Sequence, residues 1–296
     1  MFGHKPTQSS TATVALALIL VVGVAGACGS SPATTATTTS ITAGSTSTSS
    51  AAQTTTSEAA LMNFKVYLAR SGYLYTVARQ TNFSPAIARA AMTSLLAGPL
   101  PAETSLGISS AIPSATELLG VSIANQTATV NLSGEVQSGG GSLSVALRLA
   151  QITYTLTQFP SVSNVVLEIN GQAVTVFGGE GLVIDHPMTR SDFQGVIAPI
   201  FVDNPAAFSK VSDNFKVSGT ANVYEAVFWA QLIDPSGKIV FSQREQASSG
   251  TGTRGSFSFS AGYPSAAQGL GLLKVFDYSA KDGSVENVME VPLHLN

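Results

Sequence analysis

The spacing of hydrophobic residues changes along the chain. Between residues 61 and 178, runs that alternate apolar and polar side chains predict strands, and apolar residues three or four positions apart predict helices. The predicted order is hairpin, helix, hairpin, helix, hairpin, with strands at 64–68, 73–81, 118–123, 128–132, 165–169 and 173–177. This mixture indicates an α+β domain built from hairpins and two helices.

Residues at the ends of the two predicted helices give their boundaries. Ser84 is a candidate N-cap followed by Pro85, and Gly98-Pro99 is expected to end the first helix. Ser142 is the candidate cap of the second helix, in which apolar residues recur at helical spacing from 145 to 159.

From residue 182 to 296 only strand patterns occur. The predicted strands cover 216–219, 225–233, 238–243, 254–260, 271–278 and 285–295, and turn residues separate them. Short strands at this density predict an all-β immunoglobulin-like sandwich. The change of pattern places a domain boundary between 178 and 182. We expect the domains on either side of it to unfold as two separate units.

The first 27 residues have the pattern of an export signal. Lys5 precedes an uncharged apolar stretch at 12–27, which ends Val24-Ala25-Gly26-Ala27-Cys28. This ending resembles a bacterial lipobox, with Ala25 where Leu is commonest, and the resemblance implies a diacylglycerol on the Cys28 thiol. The protein is then expected on the outer face of the bacterial cell membrane. A signal with an incidental Cys and a transmembrane helix are the alternatives, although a span needs ~20 apolar residues.

Residues 28–60 combine the predicted lipidated cysteine with a segment of Ser, Thr, Ala and Gly. Such a segment cannot bury enough apolar area to offset its ordering entropy, so we expect a disordered linker. Its mean reach would be roughly 30 Å.

Composition excludes several classes of function. The net charge is -3, only 10% of residues are charged, and no Lys/Arg cluster exists to neutralise a phosphate backbone, so we expect no nucleic-acid partner. One cysteine and three histidines exclude a disulfide and argue against a zinc site. The Asp185-His186 pair and His294 have no nucleophile nearby in sequence, so we expect no enzyme, cofactor or metal. The glycine-rich run at 250–255 precedes a strand and is expected to be a loop.

Six sequence segments resemble a known family. They are FKVYL at 64–68, VAR at 77–79, AAMTSLLAGP at 90–99, SAIP at 110–113, VNLS at 130–133 and QITYTLT at 151–157. Their order is similar to that of the GerMN domain of the sporulation and spore germination family. Asn131 stands where an Asp is expected, which leaves any role for a carboxylate there without support.

The second domain resembles another family. The segments GTANVYEA at 219–226, LIDPSG at 232–237 and DGS at 282–284 look like the immunoglobulin-like domain of bacterial spore germination. Tyr224 replaces the usual Phe. This domain often follows a GerMN domain.

The resemblance implies a non-enzymatic envelope scaffold that binds other envelope proteins, with sheets meeting edge to edge. A module that binds wall polysaccharide or peptidoglycan, and an accessory to envelope signalling, are the alternatives. The candidate interaction residues are Glu225, Tyr224, Arg79 and Arg148. Ion pairs are an alternative role for the two arginines, as is a hydrogen bond to a neighbouring loop for Glu225. Trp229 is expected in the core, or else on an exposed sugar-stacking face.

Overall fold

The structure is a computed structural model that describes residues 61–179 and 181–296. The predicted signal peptide, Cys28 and the linker to residue 60 lie outside the described residues. The strands are β1 Leu61–Arg70, β2 Tyr73–Asn82, β3 Ile108–Ser109, β4 Leu118–Ala124, β5 Thr127–Leu132, β6 Asn164–Ile169, β7 Gln172–Ala173, β8 Val176–Phe177, β9 Leu182–Val183, β10 Ile200–Asn204, β11 Lys210–Val211, β12 Asn214–Ala221, β13 Val227–Ile233, β14 Ile239–Gln246, β15 Gly255–Gly262, β16 Gly269–Tyr278 and β17 Val285–Leu295. The α-helices are α1 Ile87–Leu96, α2 Pro101–Thr104 and α3 Ser142–Leu156, and 3-10 helices occur at Gly134–Gln137, Arg190–Val196 and Tyr224–Ala226.

The first domain has two small sheets, and helices α1 and α3 pack on them. One sheet has the order β2-β1-β3, and the other has the order β4-β5-β6-β7. Strands β5 and β6 are parallel because α3 forms the crossover between them. The helices bury Met92, Leu95, Leu149 and Ile152 against the strands. The predicted α+β class is therefore confirmed.

Turn chemistry fixes the three hairpins of this domain. Both turn residues have positive φ at Ser71-Gly72 and at Asn170-Gly171, and the same holds for the Asn-Gln turn at 125–126. This is the geometry of two-residue turns that match strand twist. Asn131 supports the Asn170-Gly171 turn, since its Oδ1 accepts a hydrogen bond from the Gly171 N–H at 2.9 Å.

Three details differ from the sequence expectations. Helix α1 begins at Ile87 instead of Pro85, and the Ser84 hydroxyl accepts a hydrogen bond from the Ala86 N–H at 3.1 Å. Gly141, not Ser142, is the N-cap of α3. The third hairpin ends at Ala173, because β8 pairs with β9 and not with β6.

The second domain is a sandwich of two sheets, as predicted. One sheet has the order β10-β12-β15, and the other has the order β11-β17-β16-β13-β14. Along β13, Phe228, Ala230 and Leu232 point into the core, where Phe228 lies 4.7 Å from Phe257 between ring centroids. Strands β10, of five residues, and β11, of two, were not predicted, and β13 begins two residues later than expected. No helix within the two described ranges is long and apolar enough to cross a membrane.

Candidate interaction site

Asp203 joins the two domains through a group of charged side chains. The carboxylate lies at the end of β10 and accepts hydrogen bonds from the Tyr67 hydroxyl at 2.5 Å and from Lys65 Nζ at 2.9 Å, both on β1. Arg190, at the start of the 3-10 helix that precedes β10, lies 3.6 Å from the same carboxylate and donates to the Tyr67 hydroxyl at 3.2 Å. The guanidinium also lies over the Tyr154 ring, 4.6 Å from its centroid. Four side chains thus hold β1 against the second domain.

The electrostatics of this group favour a charged Asp203. Burial opposes the negative charge, but Lys65 and Arg190, together with the hydrogen bond from Tyr67, outweigh it and lower the pKa of Asp203. Burial, reinforced by the Asp203 charge, holds the pKa of Tyr67 well above its usual value, so the phenol remains a donor. The group is therefore a satisfied network with no free nucleophile or base.

Further contacts continue the junction on both sides of Asp203. Arg70 lies 3.3 Å from the Glu290 carboxylate, and the Tyr75 hydroxyl donates to the Glu290 carbonyl at 2.6 Å. Burial raises the pKa of Tyr75 to about 12. The backbone adds a bridge in which the Ala78 N–H donates to the Ala207 carbonyl at 2.9 Å. Both domains lie within one compact unit.

Sequence reasoning did not find this junction. Asp203 and Arg190 lie in stretches without a recognisable period, and Asp203 is 138 residues from Lys65. The only available signal was that Lys65 and Tyr67 alternate with apolar residues on β1 and therefore share a face.

Arg79 is bound within the first domain. Its guanidinium forms a bidentate pair with Glu103 of α2, at 2.5 and 2.7 Å, and the two side chains are 11% and 3% exposed. Glu103 also accepts a hydrogen bond from the Leu100 N–H at 2.7 Å. Arg79 therefore anchors α2 to β2. Of the two roles that the sequence left open for this residue, an ion pair or contact with a partner, the structure has the ion pair.

Arg148 also has a structural role, but without an acidic partner. It is 2% exposed, and its guanidinium donates to four backbone carbonyls, those of Ala111, Val136, Ser138 and Gly139. Burial lowers its pKa. Such contacts tie α3 to the two loops around it and leave no surface for a partner, so the sequence hypothesis of an interaction role has no support here.

Tyr224 and Glu225 lie at an exposed tip of the second domain. Tyr224 is 57% exposed, and Glu225 has a positive φ of 53° in a 3-10 turn, not in the strand that was expected. The Glu225 N–H donates to Thr251 Oγ1 at 3.0 Å, which is the expected bond to a neighbouring loop, although the backbone makes it. Both side chains remain accessible to a partner.

Trp229 is half-buried and not in the core. It points to the outer face of the five-stranded sheet, because the inward positions of β13 are its neighbours Phe228 and Ala230. Its ring meets the edge of Tyr278 with centroids 6.2 Å apart, and Tyr278 is 47% exposed. A sugar-stacking face at this position would consist of Tyr278 and the exposed part of Trp229.

His186 lies between two carboxylates at the surface. Its Nδ1 is 2.6 Å from Asp185 and its Nε2 is 3.3 Å from Asp192, and the hydrogen bond to Asp185 is the main cause of its raised pKa. His294 is distant from this group in the chain and packs against Phe208. Within the described ranges, no three His, Cys, Asp or Glu side chains are placed to hold a metal ion.

Strand β4 lies at one edge of the second sheet of the first domain. It pairs with β5 on one side only, and no strand of the described part of the chain covers its other side. Residues 120–124 include no charged residue and no proline. Leu119, at a bulge, and Ile123 are 45% and 41% exposed. An uncovered strand of this composition is available for pairing with another chain.

The sequence comparisons agree with both domains. Residues 65–175 match the family described as sporulation and spore germination, and residues 199–284 match the immunoglobulin-like domain of bacterial spore germination. Comparison with curated proteins found none that matches significantly.

Two similar solved structures come from the sporulation protein GerM of Bacillus subtilis. Its first GerMN domain is 26% identical, with 44% of this chain and 99% of that chain covered and a TM-score of 0.37. Its tandem GerMN domains are 19% identical, with 64% and 62% covered and a TM-score of 0.38. The two matched families are germination-type domains and are not known enzymes. The two family matches show that this chain carries a GerMN domain of the sporulation and spore germination family, followed by an immunoglobulin-like domain of bacterial spore germination.

Proposed function

We propose that the protein is a lipid-anchored envelope scaffold that acts without catalysis and binds a strand of another envelope protein at β4. The open edge of β4 is the observation that supports this proposal. Natural proteins usually protect such an edge with charged residues, proline, a β-bulge or a covering segment. Residues 120–124 contain no charged residue and no proline, no strand of the described part of the chain covers them, and the bulge of β4 lies before them, at Leu119. Helix α1 packs against β4.

The network of hydrogen bonds and ion pairs between the domains supports a scaffold role. Asp203, Tyr67 and Arg190 hold the immunoglobulin-like domain against β1, on a different sheet from β4. A partner bound at β4 would therefore be held in a fixed orientation to the exposed tip at Tyr224 and Glu225. That tip is a second surface at which a partner could be contacted.

Anchoring is supported by the sequence around Cys28. A cleaved and lipidated cysteine would carry at least two acyl chains, and two chains give stable membrane attachment where one gives marginal binding. Cys28→Ala in the full-length chain is expected to move the protein out of the membrane fraction or leave it uncleaved. Unchanged partitioning into detergent would contradict the anchor.

A lysine in β4 tests the edge proposal. Ser122→Lys in the full-length chain is expected to reduce recovery of the bound partner after crosslinking in cells by about tenfold, because pairing would bury a charge. Ser242→Lys on β14 is the matched control, since that edge strand already carries charged residues. Equal recovery from both variants would contradict binding at β4, and a partner identified as this same chain would show self-assembly.

A further inference from the structure

A cleft of about 690 Å³ opens between the two domains. One wall is formed by β1 and β2, and the other by the segment 204–210 together with the end of β17. This volume lies within the range of small-molecule sites, which often form where domains meet. The cleft is on neither of the surfaces that the scaffold proposal uses.

The charges that line the cleft have one sign. Lys65, Arg79 and Lys210 are the charged residues that line it, beside the imidazole of His294, and no Asp or Glu is among the lining residues that the structure describes. Arg79 is committed to Glu103 and Lys65 to Asp203. Neither Lys210 nor His294 forms an ion pair within the described ranges, and both side chains are exposed.

Lys210 and His294 are held side by side. They are register partners in the parallel pair of β11 and β17, and the His294 N–H donates to the Ser209 carbonyl at 2.9 Å. Two adjacent cationic or hydrogen-bonding groups on paired strands can both contact one carboxylate or phosphate group.

The rest of the wall has the chemistry of a sugar site. The Phe208 ring packs against His294, with centroids 6.5 Å apart, and provides an apolar surface for a sugar ring. Gln80 and Asn63, hydrogen-bonded to each other at 2.8 Å, supply amides at the opposite wall, and Ser209 supplies a hydroxyl. Amides and hydroxyls of this kind bind the hydroxyl groups of a saccharide.

We propose that this cleft binds a small acidic saccharide, whose anionic group lies at Lys210 and His294 and whose ring lies against Phe208. Nothing in this inference depends on pairing at β4, so either proposal can fail alone. The ligand would be a sugar that carries a carboxylate or a phosphate. Comparing a free sugar acid with free phosphate separates the contribution of the sugar ring from that of the anion.

Calorimetric titration of the full-length chain in detergent tests the proposal with three probes. N-acetylmuramic acid carries a carboxylate, N-acetylglucosamine is its uncharged relative, and inorganic phosphate is the anion alone. The sugar acid is expected to bind about tenfold more tightly than the neutral sugar, because the neutral sugar cannot make the charge-assisted contact with Lys210. The proposal would be overturned if phosphate bound and neither sugar did, or if the two sugars bound equally tightly.

Charge variants locate the site. Lys210→Glu is expected to weaken binding of the sugar acid by about tenfold or more, whereas Lys281→Glu, at an exposed turn far along the chain, leaves it unchanged. Lys210→Gln removes the charge without reversing it and serves if the first variant unfolds, as far-ultraviolet circular dichroism would show. Equal loss in the Lys210 and Lys281 variants would overturn the assignment.

Discussion

The Tyr67 hydroxyl of the GerMN domain donates a hydrogen bond of 2.5 Å to the Asp203 carboxylate of the immunoglobulin-like domain. Lys65 and Arg190 complete the surroundings of that carboxylate, so the two domains share a polar network that either domain alone would leave unsatisfied. This contact changes the expectation from sequence that the domains unfold as two units. We now expect them to unfold together.

The first prediction concerns this coupling. Asp203→Asn is expected to lower the free energy of unfolding by about 2 kcal/mol, less than for a fully buried pair because the Asp203 side chain is 27% exposed. In urea titrations of the natural chain, Trp229 fluorescence and far-ultraviolet circular dichroism should give coincident transitions. The variant should separate them, since Trp229 reports only on the second domain.

The control for that prediction is Asp213→Asn. Asp213 is exposed, and only its backbone carbonyl makes a hydrogen bond, to the Tyr263 N–H. The control should leave both transitions within about 0.5 kcal/mol of the natural chain. Equal losses in the two variants would contradict a coupling role for Asp203.

The second prediction is a pH dependence of stability. The folded-state pKa of Asp203 is lowered, so its contribution is fully present above the unfolded pKa of about 3.9 and is lost as pH falls through the folded value. The difference in unfolding free energy between the natural chain and Asp203→Asn should therefore be constant above about pH 5 and shrink below about pH 4. A difference that is independent of pH from 7 to 2 would show that the charge of Asp203 is not responsible.

The third prediction concerns the pair of Arg79 and Glu103. Glu103→Gln leaves the guanidinium partly buried without its counter-charge and should cost about 3 kcal/mol of unfolding free energy. Glu117→Gln, at an exposed position, should cost less than about 0.5 kcal/mol. Denaturant titration measures both, and a loss below about 1 kcal/mol for Glu103→Gln would contradict the anchoring role.

The fourth prediction concerns Arg148. Arg148→Met removes the donors of four backbone carbonyls and is expected to destabilise the chain by about 3 kcal/mol or more. Arg89→Met, on the exposed side of α1, is the matched control and should be nearly neutral. If both variants melt at the same temperature as the natural chain, Arg148 is not a structural residue.

The hairpins of the first domain could be predicted because their signals are local. Alternating side chains and two turn residues suited to positive φ lie within about 20 residues of each other in β1-β2 and in β4-β5. The sandwich could also be predicted, because buried and exposed side chains alternate regularly along β13 and β15. Helix starts were missed by one or two residues, which is the precision expected at helix ends.

The polar interior could not be predicted. Arg148 and Gln151 lie on the buried side of α3, where an amphipathic pattern assigns polar residues to solvent. Their partners are backbone groups on distant segments, such as the Tyr67 carbonyl 84 residues away, which accepts from Gln151. The partners of Asp203 could not be predicted either. Lys65 and Arg190 compensate its charge, and no periodic pattern in the sequence relates them to it.

Site-specific photocrosslinking in cells tests the scaffold role at β4 most directly. A photoreactive amino acid at Ser122 in the full-length chain should give an adduct of one defined mass, and Ala124→Lys should abolish it because the lysine blocks strand pairing. The same amino acid at Ser242, on the charged edge strand β14, should not give that adduct. No adduct at Ser122, or one that persists with Ala124→Lys, would contradict the proposal that β4 binds the partner.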